Sequence, residues 1–402
     1  MDVKISLIGA GSTAFSLGLI QNLCQTPSLA GCRMVVHGVA LGDSMGINIS
    51  YLVGAVLAAV FCVVPQACGD TPVFPGRHWA QTQPAQVGLD AGKLAELARR
   101  LGAFGDPADP KNAENIGCII KDGYLVYSWG DQSRRMGWAS ASKPVFSTLL
   151  MLAVREGKLR GVDDRIADWG WALKDKDRSM TFAHLANQIS GYACPEPPGQ
   201  AWAYNDYALR LYVLTLEKVF AKGLNAAVME RLADLQFEDG DVLAPNGGVL
   251  TTARDFARIG WFWMNRGNWK GRQILSADYF ERYMRPQVPR DLPRSAKSKP
   301  DDYLQIGTLG GGNNQCLYGP GVYGYNWWFN GVAPGSDLPV MPDAPADAVM
   351  AMGIGGRFMV MIPSLRLLVA AHGDWGDIEP GDPLVRYNLN LQLLSQCVVG
   401  KP

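Results

Sequence analysis

Ser140-Ala141-Ser142-Lys143 stands at the head of the apolar run Pro144-Val145-Phe146-Ser147-Thr148-Leu149-Leu150-Met151-Leu152. The run reads as a buried helix, and on a helix residues three apart share a face. A hydroxyl and an amine at positions 140 and 143 can therefore meet. A serine hydroxyl is a poor nucleophile near neutral pH until an adjacent base or cation activates it, and Lys143 is placed to do so. No other serine in the chain is followed by lysine at this spacing. The plainer alternative is a solvated helix start, with Ser140 or Ser142 as its cap and Lys143 in water.

The text on either side decides between these readings. Glu156-Gly157-Lys158-Leu159 and Asp163-Asp164 follow the run. Next come Met180-Thr181-Phe182-Ala183-His184-Leu185 with Ile189-Ser190-Gly191-Tyr192, then Pro198-Gly199 with Tyr204-Asn205-Asp206. Gly247-Gly248-Val249-Leu250-Thr251-Thr252-Ala253-Arg254-Asp255 and Tyr323-Gly324-Tyr325-Asn326-Trp327-Trp328 complete the series. In this order, over roughly residues 85–398, the chain resembles the serine β-lactamase and penicillin-binding-protein superfamily, whose nucleophile signature is S-x-x-K. The likeness is to its class C-like members, the esterases and 6-aminohexanoate-dimer hydrolases.

That resemblance implies an α+β fold: an antiparallel sheet flanked by helices, with an inserted all-helical domain at about 160–320 and the active site in the cleft. It implies Ser140 as nucleophile, with Lys143 and Tyr204 taking its proton. A phenol titrates near 10, too high for a base unless cations depress it, and Lys143 would supply that charge. Asp206 stands where the family usually has Asn. A carboxylate only accepts hydrogen bonds, so Asp206 is expected to pair with Lys143, keep it charged, favour Tyr204 as the base and repel an anionic substrate. The family's K-T-G strand motif is absent. In its place is Met352-Gly353-Ile354-Gly355-Gly356-Arg357-Phe358, similar to the G-x-G-G-Q version of the esterases. The backbone N–H groups of Ser140 and Ile354 would form the oxyanion hole. Trp202, Tyr207, Gly353, Gly355 and Arg357 are pocket candidates, with Arg357 able to meet a substrate carboxylate.

The implied activity is acyl transfer through an acyl-enzyme: an ester first, a short amide or D-Ala peptide second, a β-lactam third. The competing class is a penicillin-binding or sensing domain that acylates without turnover. No metal or organic cofactor is needed, and the expected partner is a small ester or amide.

Composition is compatible with this. The 402 residues carry 37 basic and 37 acidic side chains, with no basic stripe, so nucleic acid is not an expected partner. Nearly half the residues are hydrophobic, including 12 Trp, enough for a large core. The eight Cys form no C-x-x-C, which argues against structural zinc. They could pair in an exported protein. His184 and His372 read as structural.

The N-terminus differs from the rest. Val3-Lys4-Ile5-Ser6-Leu7-Ile8-Gly9-Ala10-Gly11 opens like a dinucleotide-binding unit and is similar to the start of the NAD-dependent family-four glycoside hydrolases. The further βα repeats do not follow, so residues 1–44 read as a foreign or misjoined fragment and NAD is not expected. Residues 45–68 contain an apolar run too short to span a bilayer that ends at Pro65-Gln66-Ala67-Cys68, as in a secretory leader. The expected location is periplasmic or secreted, with Cys68 a potential lipid anchor, and cytoplasmic if the segment is no signal. Residues 69–86 read as a Pro-rich linker, and 87–400 as the catalytic domain. Asp90–Leu101 reads as a capped helix, Ile116–Trp129 as a hairpin around Asp122-Gly123, Tyr325–Asn330, Ala348–Met352, Arg357–Ile362 and Leu367–Ala371 as strands, and Pro383–Val398 as the last helix.

Overall fold

Asp122 and Gly123 both have positive φ, at 55° and 90°, which a two-residue hairpin loop requires of its central pair. They turn β1 (Ile116–Lys121) back onto β2 (Tyr124–Trp129). The computed structural model describes residues 72–102, 115–244, 247–314, 316, 318–375 and 384–399, together with the short strands Val3–Ile5 and Met34–Val36. Those two strands pair in parallel within a separate unit, Met1–Pro72. The glycine turn at Gly9–Gly11 and the leader-like segment 45–68 with Cys68 lie outside the described residues.

In the unit Val73–Pro402, five further strands extend the hairpin: β3 (Tyr323–Gly324), β4 (Trp327–Phe329), β5 (Val349–Gly353), β6 (Arg357–Ile362) and β7 (Leu367–His372). The spatial order is β2-β1-β7-β6-β5-β4-β3, antiparallel throughout. The joint between β1 and β7 is the long-range one, with Ile119 opposite Val369 and Cys118 opposite Ala370.

Side chains on a strand alternate between faces, and here each face has its own core. Cys118, Ile120, Met359, Met361, Leu368 and Ala370 belong to one cluster. Ile119, Phe358, Val360, Ile362, Val369 and Ala371 belong to the other. The second is covered by α1 (Ala91–Leu101), which is capped by the Asp90 carboxylate, and by α8 (Leu384–Gln396). The first is shared with α2 (Lys143–Arg155), α3 (Phe182–Ala186), α4 (Asp206–Phe220), α5 (Leu224–Arg231), α6 (Ala253–Met264) and α7 (Ala277–Tyr283). Strands buried on both faces read as unbroken apolar runs, and β6 and β7 do so. Although α6 falls in the stretch expected to be helical insert, it lies against the sheet. A Cβ on its Gly260 would come within 2.5 Å of Leu368 Cδ1 and Met359 Sδ.

Two local expectations change. Tyr325 and Asn326, expected in a strand, form the turn between β3 and β4, with φ of 47° and 69°. The turn is held from outside: Tyr325 N–H donates to Asn187 Oδ1, Asn326 N–H donates to the Ala186 carbonyl, and the Ser147 hydroxyl donates to Asn326 Oδ1. Residues 73–79, expected as linker, are docked on α6. The fully buried Arg258 donates to the carbonyls of Gly76 and Arg77, and Trp261 Nε1 donates to that of Val73. The cysteines at 118, 194, 316 and 397 are buried and none is in a disulfide. Among the described residues no helix is long and apolar enough to cross a membrane.

Gly123 has little room to change. Besides its φ, a Cβ there would stand 1.9 Å from the Val73 carbonyl oxygen. Gly123→Ala is expected to lower unfolding stability by about 1–3 kcal/mol, read as a fall in the urea midpoint with unchanged slope.

Candidate active site

The chain enters the site through a strained turn. Met136–Gly137 pairs with Leu250–Thr251, Trp138 N–H donates to the Val249 carbonyl, and Trp138 Nε1 donates to that of Thr251. Ala139 then takes φ of 45°, a left-handed conformation uncommon for a residue with a Cβ. It tips the short 3-10 turn Ala139–Ser142 into α2. Ser142 faces inward and its Oγ accepts from Val249 N–H at 2.8 Å. Ser140 is left partly exposed at the cavity. The plainer alternative of a solvated Lys143 is thereby excluded, because its side chain is 5% exposed.

Lys143 Nζ donates to Ser140 Oγ at 2.8 Å, to the Tyr204 hydroxyl at 2.5 Å and to Asp206 Oδ1 at 2.9 Å. An ammonium has three N–H donors, so this set is complete. The nitrogen also lies 4.1 Å from the centre of the Tyr204 ring. Tyr204 and Asp206 come from the start of α4. Asn205, between them, turns its side chain to the helix and accepts from the N–H of Tyr207 and Ala208. That cap was not singled out in the sequence, where Asn205 was read only as part of a motif, although Asn before a helical run is the usual signal.

Asp206 is clamped through its backbone as well. Its N–H donates to the Gly312 carbonyl, and its own carbonyl accepts from Leu309 N–H. The strap carrying Leu309 and Gly312 is anchored by Asp302, whose carboxylate accepts from Tyr192 OH and from the N–H of Ile306 and Gly307.

The electrostatics overturn one expectation. Lys143 does pair with Asp206, but the Tyr204 phenol is not depressed. Burial, then the Asp206 carboxylate, push it well above its ordinary value, and the hydrogen bond from Ser140 offsets this only in part. Tyr204 is therefore a neutral phenol, not a phenolate base.

The turn between β5 and β6 forms the opposite wall. A Cβ on Gly353 would meet the Trp138 carbonyl at 2.6 Å and Ala141 N at 3.1 Å. The missing side chain thus lets this strand end lie directly on the Ser140 turn. Gly356 has φ of 74° and packs against Gly373. His372 Nε2–H donates to the Gly355 carbonyl at 2.7 Å, while His184 joins Thr181 in a helix capping box, so both histidines are structural here. Ile354 lines the cavity.

Two pocket candidates are corrected, and a third gains a structural role. Trp202 is fully buried among Tyr204, Tyr323 and Trp328, supporting Tyr204 from behind. Tyr207 packs against the core rather than lining the cavity. Arg357 does line it, but donates from Nε to the Gly137 carbonyl at 2.7 Å and from Nη1 to the Ile354 carbonyl at 3.0 Å, stapling the two turns together. The cavity, of about 660 Å³, takes Phe146, Val249, Leu250, Leu309 and Cys316 among its lining. Sequence reading missed these because contact across distant loops leaves no local pattern. Among the described residues no cluster of three or more His, Cys, Asp or Glu could hold a metal.

The beta-lactamase family model matches residues 118–373. Among solved structures the chain is similar to a beta-lactamase/D-alanine carboxypeptidase from Yersinia pestis complexed with citrate, at 15% sequence identity and TM-score 0.51, covering 78% of this chain and 99% of that one. It is similar to an octameric penicillin-binding protein homologue from Pyrococcus abyssi, at 18% identity and TM-score 0.51, covering 77% and 78%. It is also similar to EstCE1, a hydrolase with promiscuous acyltransferase activity, at 14% identity and TM-score 0.52, covering 75% and 99%. At these identities the likeness is one of fold. No curated protein matches the chain.

Two outcomes follow from the buried charges. Asp206→Ala leaves an ammonium without its carboxylate and is expected to cost about 3–5 kcal/mol of stability, with Asp206→Asn, which keeps an acceptor, losing less in the same urea titration. Tyr204, Tyr212 and Tyr323 all have phenols raised above the ordinary value of 10.0 by burial. Below that value they are protonated whether the chain is folded or not and add no pH dependence. Above it only the unfolded chain ionises, so the native state binds more protons and stability falls as pH rises. Urea midpoints should therefore drop between about pH 9 and pH 11, and an unchanged midpoint would contradict the burial.

Proposed function

The chain belongs to the beta-lactamase family of serine hydrolases, and from that premise we propose that it is a carboxylesterase whose nucleophile is Ser140. The observation that carries this reading is the set of three bonds at Lys143 Nζ, which puts a buried amine 2.8 Å from a partly exposed hydroxyl at the edge of a cavity.

With Tyr204 held neutral, the proton must move along the Lys143–Asp206 contact. A shift across that 2.9 Å hydrogen bond leaves a neutral amine and a carboxylic acid. The amine takes the Ser140 proton as Oγ forms its bond to the ester carbonyl carbon. The carbonyl oxygen becomes an oxyanion, stabilised by the N–H groups of Ser140 and Ile354. When the tetrahedral intermediate collapses, the C–O bond to the alcohol breaks and Lys143 returns its proton to the leaving oxygen. Water repeats the cycle on the acyl-enzyme: the amine takes a proton from water, hydroxide adds to the acyl carbon, and Ser140 Oγ leaves and is reprotonated. Tyr204 keeps its proton throughout and, through its bonds to Ser140 and Lys143, holds the nucleophile in line.

A fluorophosphonate probe is expected to label the wild type at Ser140, and p-nitrophenyl butyrate to turn over repeatedly. Ser140→Ala should abolish both. Lys143→Met should lower kcat by on the order of 10²–10⁴-fold, the range for loss of a positioned acid–base group. A single stoichiometric burst without turnover would replace the esterase by an acylated sensor, and a fluorophosphonate adduct away from Ser140 would sink the assignment.

A further inference from the structure

The cavity beside Ser140 has an unusual balance of charge and apolar surface. Its walls include Phe146, Val249 and Leu309, and its mouth carries Leu250 and Ile354, which are 37% and 56% exposed. These two are among the few large apolar side chains the described fold leaves in water; Leu250 lies on the short strand paired with Met136–Gly137, just before the Ser140 turn, and Ile354 on the β5–β6 turn. Two cations line the cavity, Lys143 and Arg357. All three N–H donors of Lys143 are committed to Ser140, Tyr204 and Asp206. Arg357 directs Nε and Nη1 at the carbonyls of Gly137 and Ile354. The Asp206 carboxylate lines the same space. Paired with Lys143 at 2.9 Å, that carboxylate cancels the ammonium, so an anionic acyl group would find neither net charge nor a spare donor at Lys143, whereas an apolar acyl group would exchange water for hydrocarbon at the walls and mouth.

Building on the ester reading, we propose that this site selects uncharged, apolar acyl groups, and that Asp206 together with the apolar rim at Leu250 and Ile354 excludes acyl groups bearing a carboxylate. Asp206 then has two consequences in one residue: it takes the proton that frees the Lys143 amine, and by pairing with Lys143 it cancels the cation that would otherwise draw an anionic acyl group.

The test compares p-nitrophenyl butyrate with p-nitrophenyl hemisuccinate, which has the same number of acyl carbons but ends in a carboxylate, and with the hexanoate. For the wild type, kcat/KM for the hemisuccinate is expected to fall at least about tenfold below the butyrate, since withdrawing a carboxylate from water without a paired counter-charge is costly. The hexanoate is expected to exceed the butyrate by about threefold or more, the range for added methylenes in an apolar site. In Asp206→Asn both rates drop, but the butyrate-to-hemisuccinate ratio should narrow several-fold. Ile354→Ser should erase the hexanoate advantage while leaving the butyrate-to-hemisuccinate ratio wide. Turnover of hemisuccinate equal to or faster than butyrate overturns this proposal alone and would assign Arg357 as an anion anchor, which loss of hemisuccinate activity in Arg357→Gln would verify. Failure of every ester to acylate Ser140 overturns the esterase reading and this proposal with it.

Discussion

One buried ammonium organises this protein. Lys143 Nζ bonds Ser140 on its own turn, and Tyr204 and Asp206 on a helix start more than sixty positions later in the chain. A charge withdrawn from water is tolerable only when its donors are all met and a counter-charge is close. Satisfying Lys143 therefore requires the first turn of α2 and the first turn of α4 to lie side by side. The segments around them act to keep that arrangement. The cap at Asn205 sets where α4 begins. The strap at Leu309 and Gly312 grips Asp206 by its backbone, and the aromatic group of Trp202, Tyr323 and Trp328 fixes the Tyr204 ring from behind.

The sheet supplies the other half. Its long-range joint between β1 and β7 brings residues 116–129 next to the C-terminal strands, and that is what delivers the β5–β6 turn to the strained turn at Ala139. The meeting depends on what is missing at Gly353, where a Cβ would strike the Trp138 carbonyl. Arg357 then ties the two turns through backbone carbonyls. An arginine that from its position alone reads as a substrate anchor also braces the two turns, through the carbonyls of Gly137 and Ile354.

Replacing the usual amide by a carboxylate at position 206 has effects that run together. The Lys143–Asp206 pair is neutral as a unit and can store a proton on either side. After burial, which is the larger cause, the same carboxylate raises the Tyr204 phenol, and it cancels the Lys143 charge at the cavity wall. In the proposed mechanism, proton flow and substrate charge are thus coupled through one side chain, and the apolar character of Leu250, Leu309 and Ile354 is in keeping with the uncharged acyl group proposed for the site.

The amino-acid order alone determined the S-x-x-K pairing, the helix capped by Asp90, the hairpin at Asp122-Gly123 and strands β5 to β7. Each of these rests on contacts or conformational preferences within a few residues, which leave a periodic or turn-type signature. The seven-stranded order, the turn at Tyr325-Asn326, the docking of residues 73–79 on α6 and the separate fates of Trp202, Tyr207 and Arg357 were decided only by tertiary packing. So was the protonation of Tyr204. Whether a phenol is depressed depends on everything that surrounds it, and here burial, then the Asp206 charge, raise it. Spacing can say that a hydroxyl and an amine share a helix face, but the dielectric and the neighbours that set their chemistry exist only once distant segments have closed around them.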